Sequence, residues 1–242
     1  MSSSKILVCW DFDWTLINEN SDTYVIKELA GNDEYQHMKT KMKEMQWTKL
    51  MDYECQRLTT APFSKTQAEI QECMATIPVF EENLKAIRLI SADPNCVQCI
   101  VSDANTEFIQ AFLQRHDLVT CFQEIHTNPS TWSEGVLSVA AYHHNHGCPQ
   151  CVQSPNMCKG QIVDDIVNRL GSFERIIYLG DGRGDVCGCS RLQGNDDVVL
   201  ARHEYALQKL IKEGNSGVTA HVMPWSSGAE ILSVLEGQLS SI

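Results

Sequence analysis

The chain of 242 residues contains no apolar run that approaches the roughly 20 residues needed to cross a membrane as a helix. Basic residues are also few: 19 Lys and Arg stand against 31 Asp and Glu, giving a formal net charge of -12. This charge argues against binding to nucleic acid or to an anionic membrane surface, because both need a basic footprint. An anionic substrate would therefore need a local positive charge at its binding site, such as a metal ion.

The first ten residues, MSSSKILVCW, lack the long apolar stretch of a secretory signal. The 11 cysteines are odd in number and are scattered through apolar as well as polar stretches. Without a secretion signal, this usage is typical of reduced thiols. We therefore expect a cytoplasmic protein. The sequence leaves its oligomeric state open.

Short apolar runs alternate with stretches that have helical spacing. The apolar runs fall at 5–10, 96–101, 122–127, 175–180 and 197–201. Between them, apolar residues recur at helical intervals over 80–90, 105–116 and 159–170. Such alternation predicts an α/β fold with a doubly wound, mostly parallel, Rossmann-like sheet.

The stretch from Asn20 to Ile77 breaks this alternation, because it contains amphipathic helical runs and no convincing strand. We interpret residues 20–78 as a small helical cap inserted after the first strand. Residues 1–19 and 79–242 would then form the α/β catalytic core. The alternative is a longer helical layer on one face of the sheet.

Polar residues follow three of the predicted strands at the point where each strand ends. The first strand is followed by DFDWT (11–15), the second by SDAN (102–105) and a later one by GDGRGD. Lys159 opens the helix at 159–170. Ligands bind at the carboxyl ends of strands in an open parallel sheet, so these side chains should converge. Each alone is more typical of a turn or helix cap, but carboxylates brought together need a cation, and their oxygens suit Mg²⁺.

A DxDxT motif after a first strand, then a Ser, a Lys and GDGxxD resembles the motif set of haloacid dehalogenase superfamily phosphatases. The resemblance implies that Asp11 attacks phosphorus to form an aspartyl-phosphate and that Asp13 is the general acid and base. It also implies that Thr15, Ser102 and Lys159 bind the phosphoryl oxygens.

The same resemblance implies that Mg²⁺ is held by Asp11, Asp181 and the backbone carbonyl of Asp13. Asp185 would anchor Lys159 or a water of the ion's shell. Trp14 departs from the small or polar residue common at its position. It is expected at the base of the cap, without an assigned role.

The segments ENSD, VSDAN, NPS and PNMCKG resemble the phosphoethanolamine/phosphocholine phosphatase branch of that superfamily. The resemblance implies a small phosphorylated substrate. Relatives in the branch act on pyrophosphate, pyridoxal phosphate or thiamine monophosphate, so the substrate stays open. A phospho-aspartate receiver or a binding module is the alternative from another class.

Two acidic residues have competing interpretations. In the resembling branch, the positions of Asp22 and Asp103 face a cationic amine of the substrate. Alternatively, Ser21 or Asp22 caps the first helix of the cap, and Asp103 caps the helix after Ser102.

A second cluster lies in YHHNHGCPQCVQSPNMCKG, where Cys148 and Cys151 have CxxC spacing and Cys158 follows. Zn²⁺ takes four such ligands, so this incomplete set is a candidate zinc site. A plain loop packed behind Lys159 and a redox pair are the alternatives.

Overall fold

A computed structural model describes residues 6–151, 156–214 and 216–239. The strands are β1 (Ile6–Trp10), β2 (Cys96–Asn105), β3 (Glu124–Asn128), β4 (Ser130–Ser133), β5 (Val136–Val139), β6 (Arg175–Gly180), β7 (Val198–Arg202) and β8 (His221–Trp225). Six of them form one parallel sheet in the order β3-β2-β1-β6-β7-β8, while β4 and β5 pair as a separate antiparallel hairpin. The predicted doubly wound α/β fold is confirmed.

The helices are α1 (Ser21–Ala30), α2 (Asn32–Lys41), α3 (Trp47–Thr59), α4 (Gln67–Ala75), α5 (Glu81–Ala92), α6 (Thr106–Arg115), α7 (Lys159–Leu170), α8 (Val186–Cys189), α9 (Ala206–Lys212) and α10 (Gly228–Leu239). Within the described residues, no helix is long and apolar enough to span a membrane.

Strand β1 is uniformly apolar because both of its faces are buried. Its residues Ile6, Val8 and Trp10 belong to one hydrophobic cluster, and Leu7 and Cys9 belong to the other. The first cluster includes residues of α5, α6 and α10, whereas the second includes residues of α7. Lys5, which the apolar pattern assigns to this strand, lies outside the described residues.

Four helices, α1 to α4, occupy the stretch between β1 and α5, where no strand was predicted. The hairpin β4–β5 packs against α3, although it lies far along the chain. Its backbone is fixed there, because Leu137 N donates to Thr59 Oγ1 at 3.1 Å and Val139 N donates to Asp52 Oδ1 at 2.9 Å. The division into a cap at 20–78 and a core stays a prediction, and the hairpin extends the helical layer from outside that range.

The residues that cap α1 and α6 are not the ones that the alternative interpretation of the sequence proposed. Helix α1 is capped by Asn20, whose side chain accepts from Thr23 N, and α6 is capped by Asn105, which accepts from Phe108 N. Neither Ser21 nor Asp22 caps α1, and Asp103 does not cap α6, so that alternative is wrong. Ser21 and Asp22 lie in the first turn of α1, and Asp103 lies in β2.

Candidate active site

Strand β1 ends at Trp10, and the chain then forms a broad turn over Phe12–Leu16. Leu16 N donates to Asp11 O at 3.2 Å, and Ile17 N donates to Phe12 O at 3.0 Å. Trp14 has φ of 54°, a left-handed conformation that non-glycine residues rarely adopt. The turn therefore keeps Asp11 and Asp13 at the carboxyl edge of the sheet.

A cavity of about 290 Å³ opens at this edge. Its walls bring together residues from the loop after β1, the start of α3, β2, α7 and the loop after β6. They are Asp11, Asp13, Trp14, Asn20, Trp47, Asp103, Lys159, Asp181, Gly182, Gly184 and Asp185. The predicted convergence of strand-end carboxylates and Lys159 is thus present in the fold.

Lys159 joins two carboxylates at the floor of the cavity. Its Nζ lies 2.8 Å from Asp11 Oδ1 and 2.8 Å from Asp185 Oδ1, and its side chain is 2 % exposed. Burial alone lowers the pKa of Lys159, but Asp11 and Asp185 outweigh it and raise the pKa well above its ordinary value. Lys159 is therefore held as a buried cation next to Asp11.

Asp185 is held by donors on both of its oxygens. Besides Lys159, Oδ1 accepts from Tyr178 Oη at 2.9 Å, while Oδ2 accepts from the backbone N of Asp181 at 3.2 Å and of Gly182 at 2.9 Å. A Cβ on Gly180 would lie 2.6 Å from Asp185 Cγ, so this approach requires glycine. The arrangement anchors both Lys159 and the loop after β6.

Asp11 and Asp13 are buried, with 5 % and 9 % exposure. Burial and the charge of Asp185 raise the pKa of Asp11, although Lys159 opposes them. Burial, and then Asp22, raise the pKa of Asp13 well above its ordinary value. The two carboxyls differ in their partners, since only Asp11 contacts Lys159.

The carboxyl group of Asp13 is oriented by the start of α1. Its Oδ1 accepts from Ser21 N at 2.9 Å, and its Oδ2 accepts from Asn20 Nδ2 at 3.0 Å. Asn20 therefore both caps the helix and holds Asp13. The sequence contains Asn20 in the segment that carries the resemblance, but nothing in its pattern indicates this second contact.

Three carboxylates could hold a cation. Oxygens of Asp11, Asp181 and Asp185 all lie within 4.8 Å of one another. Burial, and then Asp11 and Asp185, raise the pKa of Asp181 to about 8. Acidic oxygens that disfavour one another's charge fit a hard divalent cation such as Mg²⁺. The side chain of Asp13 accepts hydrogen bonds from Asn20 and Ser21, and only the backbone carbonyl of Asp13 was expected to hold the ion.

The predicted phosphate-binding residues are placed differently from one another. Lys159 lines the cavity, whereas Thr15 and Ser102 are fully buried and are not among its lining residues. Thr15 Oγ1 has no hydrogen-bond partner within the described chain, and Ser102 Oγ accepts from Ala104 N at 3.3 Å. Ser102 lies inside β2 where the pairing with β3 becomes irregular, rather than after the strand.

The two acidic residues expected to face a substrate amine are also placed differently. Asp103 lines the cavity, but Asp22 lies behind Trp47, whose Nε1 donates to Asp22 Oδ2 at 2.9 Å. Asp22 Oδ1 is buried without a hydrogen-bond partner in the described part of the chain. Burial and Asp103 raise the pKa of Asp22 to about 7. Trp47 has no recognisable sequence signal and is identified only by the packing of α3.

The cysteines of the second cluster lie close to the cavity but outside it. Cys148, Cys151 and Cys158 come together, and Cys187 joins them from α8. The sequence analysis did not connect Cys187 with this cluster, because 28 residues separate it from Cys158.

Curated proteins of similar sequence cover nearly the whole chain. A thiamine phosphate phosphatase-like protein of Arabidopsis thaliana is 33% identical and matches 99% of this chain and 97% of its own length. Inorganic pyrophosphatase 2 of Arabidopsis thaliana is 34% identical over 96% of this chain and 83% of its own length. Pyridoxal phosphate phosphatase of Bos taurus is 32% identical over 96% of this chain and 98% of its own length.

Solved structures share the fold at low sequence identity. A phosphoserine phosphatase determined as an analogue of the phospho-aspartyl intermediate superposes with a TM-score of 0.64 at 14% identity. That match covers 96% of this chain and 99% of the other. The family model described as "Putative Phosphatase" matches residues 6–239. The chain therefore belongs to this phosphatase family and has the haloacid dehalogenase fold.

Proposed function

We propose that the protein is a Mg²⁺-dependent phosphatase that hydrolyses small phosphomonoesters through an aspartyl-phosphate on Asp11. The observation that supports this most directly is the contact of 2.8 Å between Asp11 Oδ1 and Lys159 Nζ. Asp11 and Lys159 line the same cavity as Asp13. A nucleophile, a cation and an acid are thus side by side.

Asp11 acts as the nucleophile in this proposal. One of its oxygens forms a bond to phosphorus while the bond from phosphorus to the leaving oxygen breaks. Lys159 favours the ionised form that attacks, because it contacts the carboxylate directly. It also lies where it can offset the charge of the phosphoryl oxygens.

Asp13 acts as the acid and base. Its raised pKa favours the protonated form that donates a proton to the leaving oxygen. Asp13 then accepts a proton from the water that attacks the aspartyl-phosphate, and this releases inorganic phosphate. Asn20 and Ser21 hold the carboxyl group for both steps.

Asp11 and Asp181 would hold Mg²⁺ with the backbone carbonyl of Asp13, while Asp185 keeps Lys159 and the loop after β6 in place. When bound, the cation supplies positive charge that lets the carboxylates and the phosphoryl group share one cavity. Thr15 and Ser102 remain proposed contacts of the phosphoryl group. Both are buried, and Thr15 Oγ1 is free of other described partners.

The substrate is proposed to carry a positively charged nitrogen. Asp103 lines the wall of the cavity together with Trp14 and Trp47, and acidic and aromatic residues favour a cation. Asp22 lies behind Trp47 and adds negative charge when it is ionised, above its raised pKa of about 7. Phosphoethanolamine and phosphocholine fit this chemistry, and so do the thiamine phosphate and pyridoxal phosphate named for relatives. Pyrophosphate, named for another relative, carries no such group.

The alternative of a phospho-aspartate receiver is less well supported. A receiver stores its phosphoryl group, whereas Asp13 supplies a proton acceptor for turnover beside Asp11. Trp47 and Asn20, from the inserted helices, line the cavity and enclose a small molecule there. A binding module without catalysis has no use for this arrangement. A cytoplasmic location stays a prediction.

Asp11→Asn tests the proposal, with Asp196→Asn as the matched control, because Asp196 is exposed and far along the chain. Phosphate release would be measured with phosphoethanolamine, phosphocholine, thiamine monophosphate, pyridoxal phosphate and pyrophosphate, with Mg²⁺ or with EDTA. We expect Mg²⁺-dependent release that Asp11→Asn abolishes and Asp196→Asn leaves intact. Full activity of Asp11→Asn would overturn the assignment of the nucleophile. A long-lived phosphoprotein in the unchanged chain, without turnover, would favour the receiver.

A further inference from the structure

Four cysteines from three segments meet beside α7. Cys148 and Cys151 come from the segment after the hairpin, Cys158 is the N-cap of α7, and Cys187 lies in α8. Their Sγ atoms all lie within 4.8 Å of one another. Cys158 and Cys187 are each 1 % exposed, and the other two are half-buried.

The sulfur positions fit a tetrahedral metal site. Zn–S bonds of about 2.3 Å in a tetrahedron place the sulfur atoms roughly 3.8 Å apart. Cys151 Sγ and Cys187 Sγ are 3.3 Å apart, well beyond the roughly 2.05 Å of a disulfide. The CxxC spacing of Cys148 and Cys151 is the usual spacing of one half of such a site.

Backbone donors at the start of α7 face two of the sulfurs. Gly160 N donates to Cys187 Sγ at 3.2 Å, and Gln161 N donates to Cys158 Sγ at 3.4 Å. The positive end of a helix and N–H donors favour thiolates over thiols. Outer contacts of this kind also orient the ligands of metal sites. These two donors therefore fix the positions of the sulfur atoms of Cys187 and Cys158.

We propose that Cys148, Cys151, Cys158 and Cys187 bind one Zn²⁺ in a closed tetrathiolate site. Four protein ligands leave no position for a substrate, so the role of the ion is structural. Cys187 is the fourth ligand, which the sequence analysis did not identify.

The proposed zinc site connects α7, which begins with Lys159, to α8, which directly follows Asp185. Cys158 directly precedes Lys159, and Cys187 follows Asp185 by two residues. Helices α7 and α8 are already in close contact, since a Cβ on Gly160 would lie 2.7 Å from Cys187 O. A shared ion would fix the spacing from which Lys159 reaches Asp185.

The experiment measures metal content of the full-length protein, purified without added metal and treated with a mild chelator. Cys148→Ser and Cys151→Ser each remove one half-buried ligand, and Cys121→Ser is the matched control, since Cys121 is half-buried and lies outside the cluster. Two further variants cover the other groups of possible ligands. Asp181→Asn alters the acidic group of the cavity, and Glu54→Gln alters the group Glu34, His37 and Glu54.

By elemental mass spectrometry we expect one zinc ion per unchanged chain and at least tenfold less in Cys148→Ser and Cys151→Ser. Cys121→Ser, Asp181→Asn and Glu54→Gln should retain the ion. Cobalt exchanged into the unchanged protein should show the thiolate charge-transfer absorption of a tetrahedral site, whether or not the cysteine variants fold.

Several results would overturn the proposal. They are an unchanged chain that neither contains nor takes up zinc, a chain that holds iron instead, and a disulfide between Cys151 and Cys187 found by peptide mapping. Zinc that is lost only in Asp181→Asn or Glu54→Gln would place the ion elsewhere. None of these measurements depends on phosphatase activity, so the zinc site and the proposed function can fail separately.

Discussion

Arg202, at the end of β7, contacts both the backbone carbonyl and the indole ring of Trp14. Nη1 donates to Trp14 O, Nη2 donates to Asn18 Oδ1, and the guanidinium carbon lies 5.5 Å from the centroid of the Trp14 ring. These contacts offset the cost of the left-handed backbone at Trp14. Trp14, expected at the base of the cap without a role, thus becomes a fixed wall of the cavity.

Arg202→Met should therefore loosen the turn that carries Asp11 and Asp13. We expect kcat to fall at least about tenfold, because misplacing reacting groups is costly. The free energy of unfolding should fall by about 2 kcal/mol through loss of charged hydrogen bonds. Arg202→Lys should recover only part of either loss, since an ammonium lacks the planar fork that reaches both acceptors. Steady-state kinetics and urea unfolding measure both.

Arg183→Gln is the control for Arg202, because Arg183 is exposed in the loop after β6. It should change neither kcat nor stability appreciably. Equal losses in the two variants would show that a general effect of charge, and not the contact with Trp14, is responsible.

Asp13→Asn should separate the two chemical steps. A nitrophenolate leaves without protonation, whereas an alkoxide needs the proton that Asp13 donates. With p-nitrophenyl phosphate we expect a burst of nitrophenol followed by slow turnover, because the aspartyl-phosphate forms but lacks its base. Rapid mixing and trapping of the phosphoenzyme measure this. Unslowed steady turnover with an alkyl phosphate would contradict the role of Asp13.

Asp103→Asn should weaken selection for a cationic substrate. The comparison uses phosphocholine and its neutral isostere, in which carbon replaces the quaternary nitrogen. We expect kcat/KM for phosphocholine to fall about tenfold, a change of roughly 1.4 kcal/mol, and that for the isostere to stay nearly constant. Asp196→Asn, exposed and outside the cavity, should leave the ratio of the two values unchanged. A parallel fall for both substrates would remove Asp103 from charge recognition.

Glu54 should make stability depend on pH. It is fully buried on α3, and burial, followed by the charge of Glu34, raises its pKa from 4.5 to about 7. Between these values the folded protein holds more protons than the unfolded chain, so the free energy of unfolding falls as pH rises. The loss is complete above about pH 7 and amounts to at most about 3 kcal/mol.

Glu54→Gln should remove this dependence. The free energy of unfolding of the variant, compared with that of the unchanged protein, should therefore be more favourable at pH 8 than at pH 4.5. Urea unfolding across this range measures it, with Glu72→Gln as the exposed control on α4. An unchanged slope in Glu54→Gln would show that another group carries the titration.

Local sequence pattern was sufficient for the elements that build the centre of the sheet. The apolar run ending at Trp10 predicts a strand buried on both faces, because only such a strand needs no polar alternation. Helical spacing places Lys159 at the start of α7, and strand-end polarity places Asp11, Asp103 and Asp181 at one edge. Parallel strands end on the same side, so their convergence follows from the pattern alone.

The hairpin β4–β5 could not be predicted from the local pattern. Each of its strands has only four residues, and its packing against α3 depends on contacts between segments far apart in the chain. Helix caps also resist prediction where several capping residues stand together. In NSD, Asn20 caps α1 and Ser21 and Asp22 do not, and the same Asn20 side chain also contacts Asp13, which the local pattern does not indicate.

The sequence by itself determined the fold class, the family and the acidic edge with its lysine. Only the tertiary structure decided that Trp47 screens Asp22, that Arg202 fixes Trp14 and that Cys187 completes a cluster with Cys148. In each case the partners are at least 25 residues apart in the chain. Periodicity reports which face of an element is buried, but not which distant side chain lies opposite, because packing selects that partner.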